Sequence, residues 1–253
     1  MRELYDIVSC RCSGKKVIRC MRKRYRISDW ITSLMRSKRI RFNIKSWKHP
    51  KTPKGSVVSC GRFDIPMIRD RMSIWQGDIT RLAVDAIVNA ANSQMLGCFV
   101  PMHTCIDNCI HTFAGVELRA ECSRQMNQLR LKYGKDYEQP TTVPMLTDAY
   151  NLPAKKVIHV VGPIVRYELT PELEEDLADC YRNTLDMCLE HDLKSVAFCC
   201  ISTGVFHFPN KRAAEIAVST VGSWLSQHPG AMERVIFNVF KDEDKTYYEE
   251  LIR

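Results

Sequence analysis

Two cysteines and one histidine lie close together, directly before a segment that predicts a helix. Cys98, His103 and Cys105 have the spacing C-x4-H-x-C. Thiolate and imidazole groups suit Zn²⁺, and three protein ligands leave one coordination position open, as in catalytic zinc sites. Thiols buried in the core and a redox site are the alternative interpretations, and the lack of a C-x-x-C motif in this stretch disfavours the redox site. The spacing alone leaves these interpretations open.

A carboxylate and a second histidine follow within the predicted helix. Asp107 lies two residues after Cys105, and His111 lies four residues after Asp107, on the same helix face. The helix dipole stabilises a carboxylate in a first turn whatever its function. We nevertheless expect a functional role for Asp107, because the candidate metal ligands directly precede it.

Three further polar segments each follow an apolar run that predicts a strand. Asp78 lies in "WQGDIT", Asn89 and Asn92 belong to "NAAN", and "ISTG" occupies 201–204. Amides suit ribose hydroxyls, and small residues let backbone N–H groups approach an anion. Each motif by itself is also typical of an ordinary turn. A nucleoside-triphosphate P-loop is disfavoured, since no G-x-x-x-x-G-K-[ST] motif occurs.

The order of the elements predicts that these segments meet. Short apolar runs predict strands, and segments of helical periodicity alternate with them from "SIWQGDI" onward. Alternation of this kind is typical of an α/β fold, and we predict a three-layer α/β/α domain with a mixed, mostly parallel sheet. In such sheets ligands bind outside the carboxyl ends of the strands. The polar segments should therefore converge on one crevice.

Two local predictions refine this outline. The segment 105–122 predicts one helix, with Ile106, Ile110, Phe113 and Ala114 on a single apolar face. Pro144 lacks a donor for the sheet ladder, so the strand beside it is predicted to be an edge strand or a bent one.

The charge of the chain is concentrated near its N-terminus. Residues 1–70 hold 19 Lys and Arg against 5 Asp and Glu, whereas the remaining 183 residues have a net charge of −6. We predict a basic N-terminal extension over 1–70, partly helical or disordered, and one domain over 71–253. The extension could be a solvated appendage, a mitochondrial-type targeting segment, an arm for anionic surfaces or a divergent helical cap. Nucleic acid, if it binds, is expected to bind through these residues only.

The cysteines and the apolar runs indicate in which cellular compartment the protein is expected. Five of the twelve cysteines fall within apolar periodic segments, which favours buried free thiols. The start of the chain has no continuous apolar region of a secretory signal, and no apolar run is long enough to span a bilayer. We expect an intracellular, cytoplasmic protein without a membrane span, and mitochondrial targeting is the alternative.

Five separated segments, in this order, resemble the macrodomain, an α/β/α module that binds ADP-ribose. They are "WQGDITRLAVDAIVNAAN", "CIDNCIHTFAGVELR", "AYNLPAKKVIHVVGPI", "VAFCCISTGVFHFP" and "VIFNVF". In place of the glycine-rich loop of ordinary macrodomains the chain has "GCFVPMHTC", which is similar to the zinc-containing subclass that includes sirtuin-linked bacterial macrodomains. The chain departs from the family pattern at Thr142, Val143 and Pro144.

The resemblance implies a role for each residue of the predicted crevice. Asp78 would bind the adenine amino group with the backbone of Ile79 beside it, and Phe240 would flank the adenine. Asn92 would hold the distal ribose, with Asp107 next to the scissile bond. The diphosphate would be wrapped by the backbone amides of Ser202, Thr203, Gly204, Val205 and Phe206.

The implied activity is zinc-dependent removal of mono-ADP-ribose from modified protein side chains. One Zn²⁺ per chain would be held by Cys98, His103 and Cys105. The scissile bond breaks with oxocarbenium character, as in glycoside cleavage. Asp107 would orient or deprotonate the attacking water while Asn92 fixes the ribose, which makes these two the expected catalytic residues.

Two other functions fit the same resemblance. A reader module would bind ADP-ribose without cleaving it, and an O-acetyl-ADP-ribose deacetylase would use the same crevice for another bond. The Cys98/His103/Cys105 set and Asp107 favour the hydrolase, because a reader needs neither. The expected partners are ADP-ribose and mono-ADP-ribosylated proteins, and we expect a monomer.

Overall fold

The computed structural model describes residue 68 and residues 70–252. The rest of the predicted 1–70 extension lies outside the described residues. Within the described part, the strands are β1 (Met72–Gln76), β2 (Ala86–Ala91), β3 (Met145–Asp148), β4 (Lys156–Val161), β5 (Ser195–Phe198) and β6 (Arg234–Val239). The helices are α1 (Ile106–Ala114), α2 (Val116–Tyr133), α3 (Pro171–Glu190), α4 (Asn210–Gln227) and α5 (Asp242–Ile252), with a short 3₁₀ turn at Ile79–Arg81.

The six strands form one mixed sheet in the order β1-β6-β5-β2-β4-β3. Every neighbouring pair is parallel except β3 and β4. Helices α3, α4 and α5 pack in succession, while α1 and α2 pack against each other and against β2 and β3 respectively. This arrangement confirms the predicted α/β fold with a mixed, mostly parallel sheet. No helix within the described residues is long and apolar enough to cross a membrane.

The composition of the strands accounts for their positions in the sheet. The central strands β2 and β4 are short apolar runs whose residues are almost all buried, as expected for strands covered on both faces. Pro144 directly precedes β3, which lies at the edge of the sheet and pairs on one side only. The prediction of an edge strand beside Pro144 is therefore confirmed.

The single helix predicted over 105–122 is wrong, because the chain breaks at Gly115 into α1 and α2. Gly115 has φ 95°, a conformation that side chains rarely adopt. The side-chain amide of Asn151 donates to the carbonyl of Ala114 at 3.0 Å and so satisfies the end of α1. The apolar face of α1 is also narrower than predicted, since Phe113 is 45% exposed while Ile110 and Ala114 are buried.

Candidate active site

The candidate residues line up along one edge of the sheet. Because β1, β6, β5 and β2 are parallel neighbours, the segments that follow them lie side by side in that order. Asp78 follows β1, Phe240 follows β6, the 202–206 loop follows β5, and Asn92 follows β2. The predicted convergence on the carboxyl ends of the strands is found for all four.

Asp78 and Phe240 lie together at one end of this row. Asp78 caps the 3₁₀ turn, and its Oδ1 accepts from the backbone N–H and the hydroxyl of Thr80 at 3.0 and 2.6 Å. Its Oδ2 accepts no hydrogen bond from the described residues. Ile79 is buried as a whole residue, and its carbonyl accepts from the N–H of Leu82 at 3.2 Å. Phe240 is 78% exposed, and its carbonyl accepts from the side chain of Gln76, at the end of β1, at 3.4 Å.

The 202–206 loop occupies the middle of the row, and several of its backbone groups are free to bind a ligand. Ser202 is buried with φ 64°, and its carbonyl accepts from the N–H of Phe208 at 3.0 Å. The carbonyl of Phe206 accepts from Val165 at 2.9 Å, while the hydroxyl of Thr203 donates to the carbonyl of Cys200. In the described part of the chain, the N–H groups of Gly204, Val205 and Phe206 donate to no acceptor. Several unpaired donors on an exposed turn form a natural anion site.

Asp107 and Asn92 meet at the other end of the row. The side-chain amide of Asn92 donates to Oδ2 of Asp107 at 3.4 Å and to the carbonyl of Gly97 at 3.2 Å. Asn89, which is fully buried in β2, donates to Oδ1 of Asp107 at 2.8 Å. Asp107 is itself buried in the first turn of α1. Burial raises the pKa of its carboxyl group, while the Asn89 hydrogen bond and the charge of Arg119 act in the opposite direction.

His111 lies behind Asp107, as the i+4 spacing predicts. Its Nε2 is 3.5 Å from Oδ1 of Asp107, and its side chain is buried. Burial and the charge of Arg119 lower the pKa of His111 to about 4, so the imidazole is neutral at neutral pH. The contact is therefore not an ion pair.

Cys98, His103 and Cys105 come together beside Asp107. The sulfur and nitrogen donor atoms of the three all lie within 4.8 Å of one another, and Sγ of Cys98 is 3.5 Å from Nδ1 of His103. Two ligands at zinc–sulfur and zinc–nitrogen distances of about 2.3 and 2.0 Å in a tetrahedron are roughly 3.5 Å apart. This set therefore fits a tetrahedral zinc ion.

Local contacts hold the ligand loop 98–105 in place. Cys105 is the N-cap of α1, and Asn108 donates its backbone N–H to Sγ of Cys105 and its side-chain amide to the carbonyl of His103. The guanidinium group of Arg119 lies 4.3 Å from the ring centre of Phe99. The chain thus brings the three donors together through α1 and its N-terminal cap.

A second group of donor atoms lies deeper in the core. His111, Cys122 and His159 are all buried, and their donor atoms lie within 4.8 Å of one another. Both ring nitrogens of His159, however, are within hydrogen-bond distance of other groups: Nδ1 faces Asn89 at 3.0 Å and Nε2 faces Thr147 at 3.0 Å. We interpret this group as a buried polar network.

Sequence reasoning missed Arg119 and His159 as members of the site, and it named Asn89 only as an amide of "NAAN", without its contact to Asp107. Asn89 shares the "NAAN" motif with Asn92, and the side chains of a strand alternate between its two faces. His159 interrupts the otherwise apolar run "VIHVV", and a histidine in such a run usually needs a partner. Neither signal indicates that Asn89 contacts Asp107 or that His159 contacts Asn89.

Comparison with known proteins gives matches over this region. A sequence profile of the Macro domain family matches residues 88–217. The "Protein-ADP-ribose hydrolase" of Treponema medium is 51% identical over 179 residues, which cover 71% of this chain and 66% of that protein. The "Protein-ADP-ribose hydrolase" of Staphylococcus aureus (strain MSSA476) is 48% identical over 186 residues, which cover 73% of this chain and 67% of that protein. The chain thus spans about two thirds of the length of these relatives.

Solved structures are similar over the same region. The Trypanosoma brucei macrodomain in complex with ADP-ribose is 33% identical, with a TM-score of 0.61, and the match covers 74% of this chain and 71% of that one.

Proposed function

Because this chain belongs to the Macro domain family, we propose that it is a zinc-dependent hydrolase that removes mono-ADP-ribose from modified protein side chains. Two relatives with about half of the aligned residues identical bear the name of protein-ADP-ribose hydrolase. A related macrodomain has been solved with ADP-ribose bound. The substrates are accordingly ADP-ribose linkages on proteins, and free ADP-ribose is the product.

The order of the candidate residues across the sheet carries this proposal. ADP-ribose is a linear ligand: adenine with its ribose, then the diphosphate, then the distal ribose. Adenine would be bound by Asp78 and Phe240. The diphosphate would be bound by the free N–H groups of the 202–206 loop, and the distal ribose by Asn92. This sequence of ligand parts matches the strand order β1-β6-β5-β2, so the anomeric carbon would lie near Asp107.

The chemistry at the distal ribose would fall to Asp107 and Asn92. The Asp107 carboxylate accepts one hydrogen bond at each oxygen, from Asn89 and from Asn92, which fixes its orientation. Burial raises its pKa, which brings the carboxyl group closer to the range in which a general base is effective. Asp107 would then orient and deprotonate the water that attacks the anomeric carbon.

The Cys98/His103/Cys105 set fits zinc in donor chemistry and in spacing, and leaves one coordination position for a non-protein ligand. When bound, zinc would supply a Lewis acid beside the distal ribose. Cys98 and Cys105 would bind it as thiolates, so uptake should release protons. His103 would contribute Nδ1, the ring nitrogen that faces Cys98.

The first experiment separates the hydrolase from a reader module. Purified full-length protein is incubated with a mono-ADP-ribosylated protein, and released ADP-ribose is measured together with ADP-ribose binding by calorimetry. We expect release by the wild-type protein and strong loss of release in Asp107→Ala and Cys105→Ser. If the wild type binds ADP-ribose but releases none, the chain is a reader and the hydrolase proposal fails.

The second experiment tests the metal alone. Metal analysis of the purified protein should give about one zinc per chain, and Cys105→Ser should bring this close to zero, because two ligands hold zinc far more weakly than three. Cys109→Ser is the matched control, since Cys109 lies one helical turn later and outside the donor set. Equal zinc content in both variants would refute this ligand set.

A further inference from the structure

A row of buried polar side chains runs from Asp107 across the sheet to its edge. Nδ2 of Asn89 in β2 lies 2.8 Å from Oδ1 of Asp107 and 3.0 Å from Nδ1 of His159 in β4. Nε2 of His159 lies 3.0 Å from Oγ1 of Thr147 in the edge strand β3, and this hydroxyl lies 3.4 Å from the carbonyl oxygen of Val157. Asn89, His159 and Thr147 are all buried.

From this row we propose that His159 and Thr147 are positioning residues, which keep the amide N–H₂ of Asn89 turned toward the Asp107 carboxylate. The inference rests on the proposed function of Asp107. It concerns two residues that lie behind the crevice, in β4 and β3, on the far side of Asn89 from Asp107.

The direction of each hydrogen bond follows from the last group in the row. The carbonyl oxygen of Val157 can only accept, so the hydroxyl of Thr147 donates to it. The lone pairs of Thr147 are then left to accept from Nε2–H of His159. A neutral imidazole with its proton on Nε2 has a bare Nδ1, which accepts from the amide of Asn89. Burial, with a further contribution from His111, keeps the imidazole neutral by lowering the pKa of His159 to about 3.

The opposite set of hydrogen-bond directions would place an acceptor, instead of a donor, against the Asp107 carboxylate. With its proton on Nδ1, His159 would need the carbonyl oxygen of Asn89 as acceptor, and a turned amide would place this oxygen 2.8 Å from Oδ1 of Asp107. Two acceptors at that distance repel each other. The observed orientation leaves Oδ1 of Asn89 buried without a partner. Because an unpaired buried acceptor is costly, the contacts of Nδ2 with Asp107 and His159 must hold the amide in place.

Among the described residues, no other group near His159 is a strong hydrogen-bond partner for its Nε2. Sγ of Cys122 is 3.8 Å from Nε2 of His159, and thiols form only weak hydrogen bonds. The ring of His111 has its centre 5.7 Å from that of His159. The hydroxyl of Thr147 is thus the group that decides the tautomer.

The experiment compares Thr147→Val with Thr147→Ser in the full-length protein. Valine keeps the shape of threonine and removes the hydroxyl, whereas serine keeps the hydroxyl. We expect kcat for release of ADP-ribose from a mono-ADP-ribosylated protein to fall about tenfold in Thr147→Val, because Asp107 is misplaced. KM and the Kd for ADP-ribose should change less than about twofold, and Thr147→Ser should retain most of kcat. An unchanged kcat in folded Thr147→Val would overturn the proposal.

The tautomer is measured independently of activity, from the ring ¹⁵N shifts of His159. The wild-type protein should carry the proton on Nε2, and the Nδ1–H form should grow in Thr147→Val. A wild-type proton on Nδ1 would overturn the inference even if the protein is an active hydrolase. If the wild-type protein releases no ADP-ribose but its Nε2–H form is found, the proposed function fails and the direction of the network stands.

Discussion

The Asp107 end of the crevice and the 202–206 loop in its middle are built from different groups of the chain. At the Asp107 end, the side-chain amides of Asn89 and Asn92 donate to the two carboxylate oxygens of Asp107 in α1. In the 202–206 loop, the backbone N–H groups of 204–206 have no acceptor among the described residues, and Val205 is 61% exposed. The Asp107 end is fixed by tertiary contacts between side chains, whereas the loop is fixed by hydrogen bonds of its backbone, within the turn and to Val165.

The two regions should contribute differently to the affinity for ADP-ribose and to the rate of its release. Backbone donors can hold a diphosphate that is remote from the reacting bond, and such binding supplies affinity without chemistry. In the proposed function, the side chains of Asp107 and Asn92 act at the distal ribose, where the bond is cleaved. Substitutions at the Asp107 end should therefore lower kcat, and substitutions along the loop should raise Kd.

The largest effect is expected for Asp107→Asn. It removes the negative charge but keeps the size of the side chain, so kcat should fall by about 10²–10⁴-fold, as for loss of a general base. The Kd for ADP-ribose, measured by calorimetry, should stay within about threefold. Glu117→Gln, an exposed carboxylate in the first turn of α2, is the control and should leave both values unchanged. A loss of binding as large as the loss of kcat would contradict the division of roles between the Asp107 end and the 202–206 loop.

Acid should destabilise the fold through the core behind Asp107. Burial lowers the pKa values of His111 and His159 from the ordinary 6.5 to about 4 and about 3. Between these pKa values and pH 6.5 the unfolded chain binds more protons than the folded chain. The free energy of unfolding is therefore greatest above pH 6.5 and decreases as the pH falls. The expected slope is about 1.4 kcal/mol per pH unit for each histidine. Urea unfolding between pH 6.5 and 5 measures it, and His111→Gln should reduce the slope; equal slopes would contradict the prediction.

A smaller effect is expected for Gly204→Pro. The substitution removes one N–H donor from the loop, so the Kd for ADP-ribose should rise about tenfold, the cost of one hydrogen bond to a charged group. Gly204→Ala is the matched control, because a Cβ there meets no atom within 4 Å and the N–H is kept. Equal affinities of the two variants, with unchanged melting temperatures, would argue against backbone binding of the diphosphate.

The smallest effect is expected for Phe240→Ala. An aromatic ring that stacks on adenine contributes about 1–3 kcal/mol, and an exposed ring that covers one face should lie at the lower limit, so the Kd should rise about fivefold. The melting temperature should not change, because the ring is largely outside the core. Tyr133→Ala, an exposed aromatic residue on α2, is the control. A lower melting temperature with unchanged Kd would assign Phe240 to packing.

Local patterns were sufficient for much of the fold and for the members of the crevice. The start of α3 carries a local signal of this kind, since Thr170 caps the helix and Pro171 is its first residue. Pro144 predicted an edge strand or a bent one because it lacks an N–H for the ladder, and β3 is an edge strand. Periodicity failed between α1 and α2, because it does not distinguish a glycine within a helix from one at a break. The break depends on the contact of Asn151 with Ala114, across 37 residues of chain.

By itself the sequence determined which residues follow strands and which donors stand close together, because periodicity, caps and spacing act within a few residues. The pairing of C-x4-H-x-C with the start of α1 belongs to this level. Only the tertiary structure decided that β5 lies between β6 and β2, which puts the 202–206 loop in the middle of the row. It also decided that Asn89 faces both Asp107 and His159, since contacts between neighbouring strands depend on register, which no local pattern encodes.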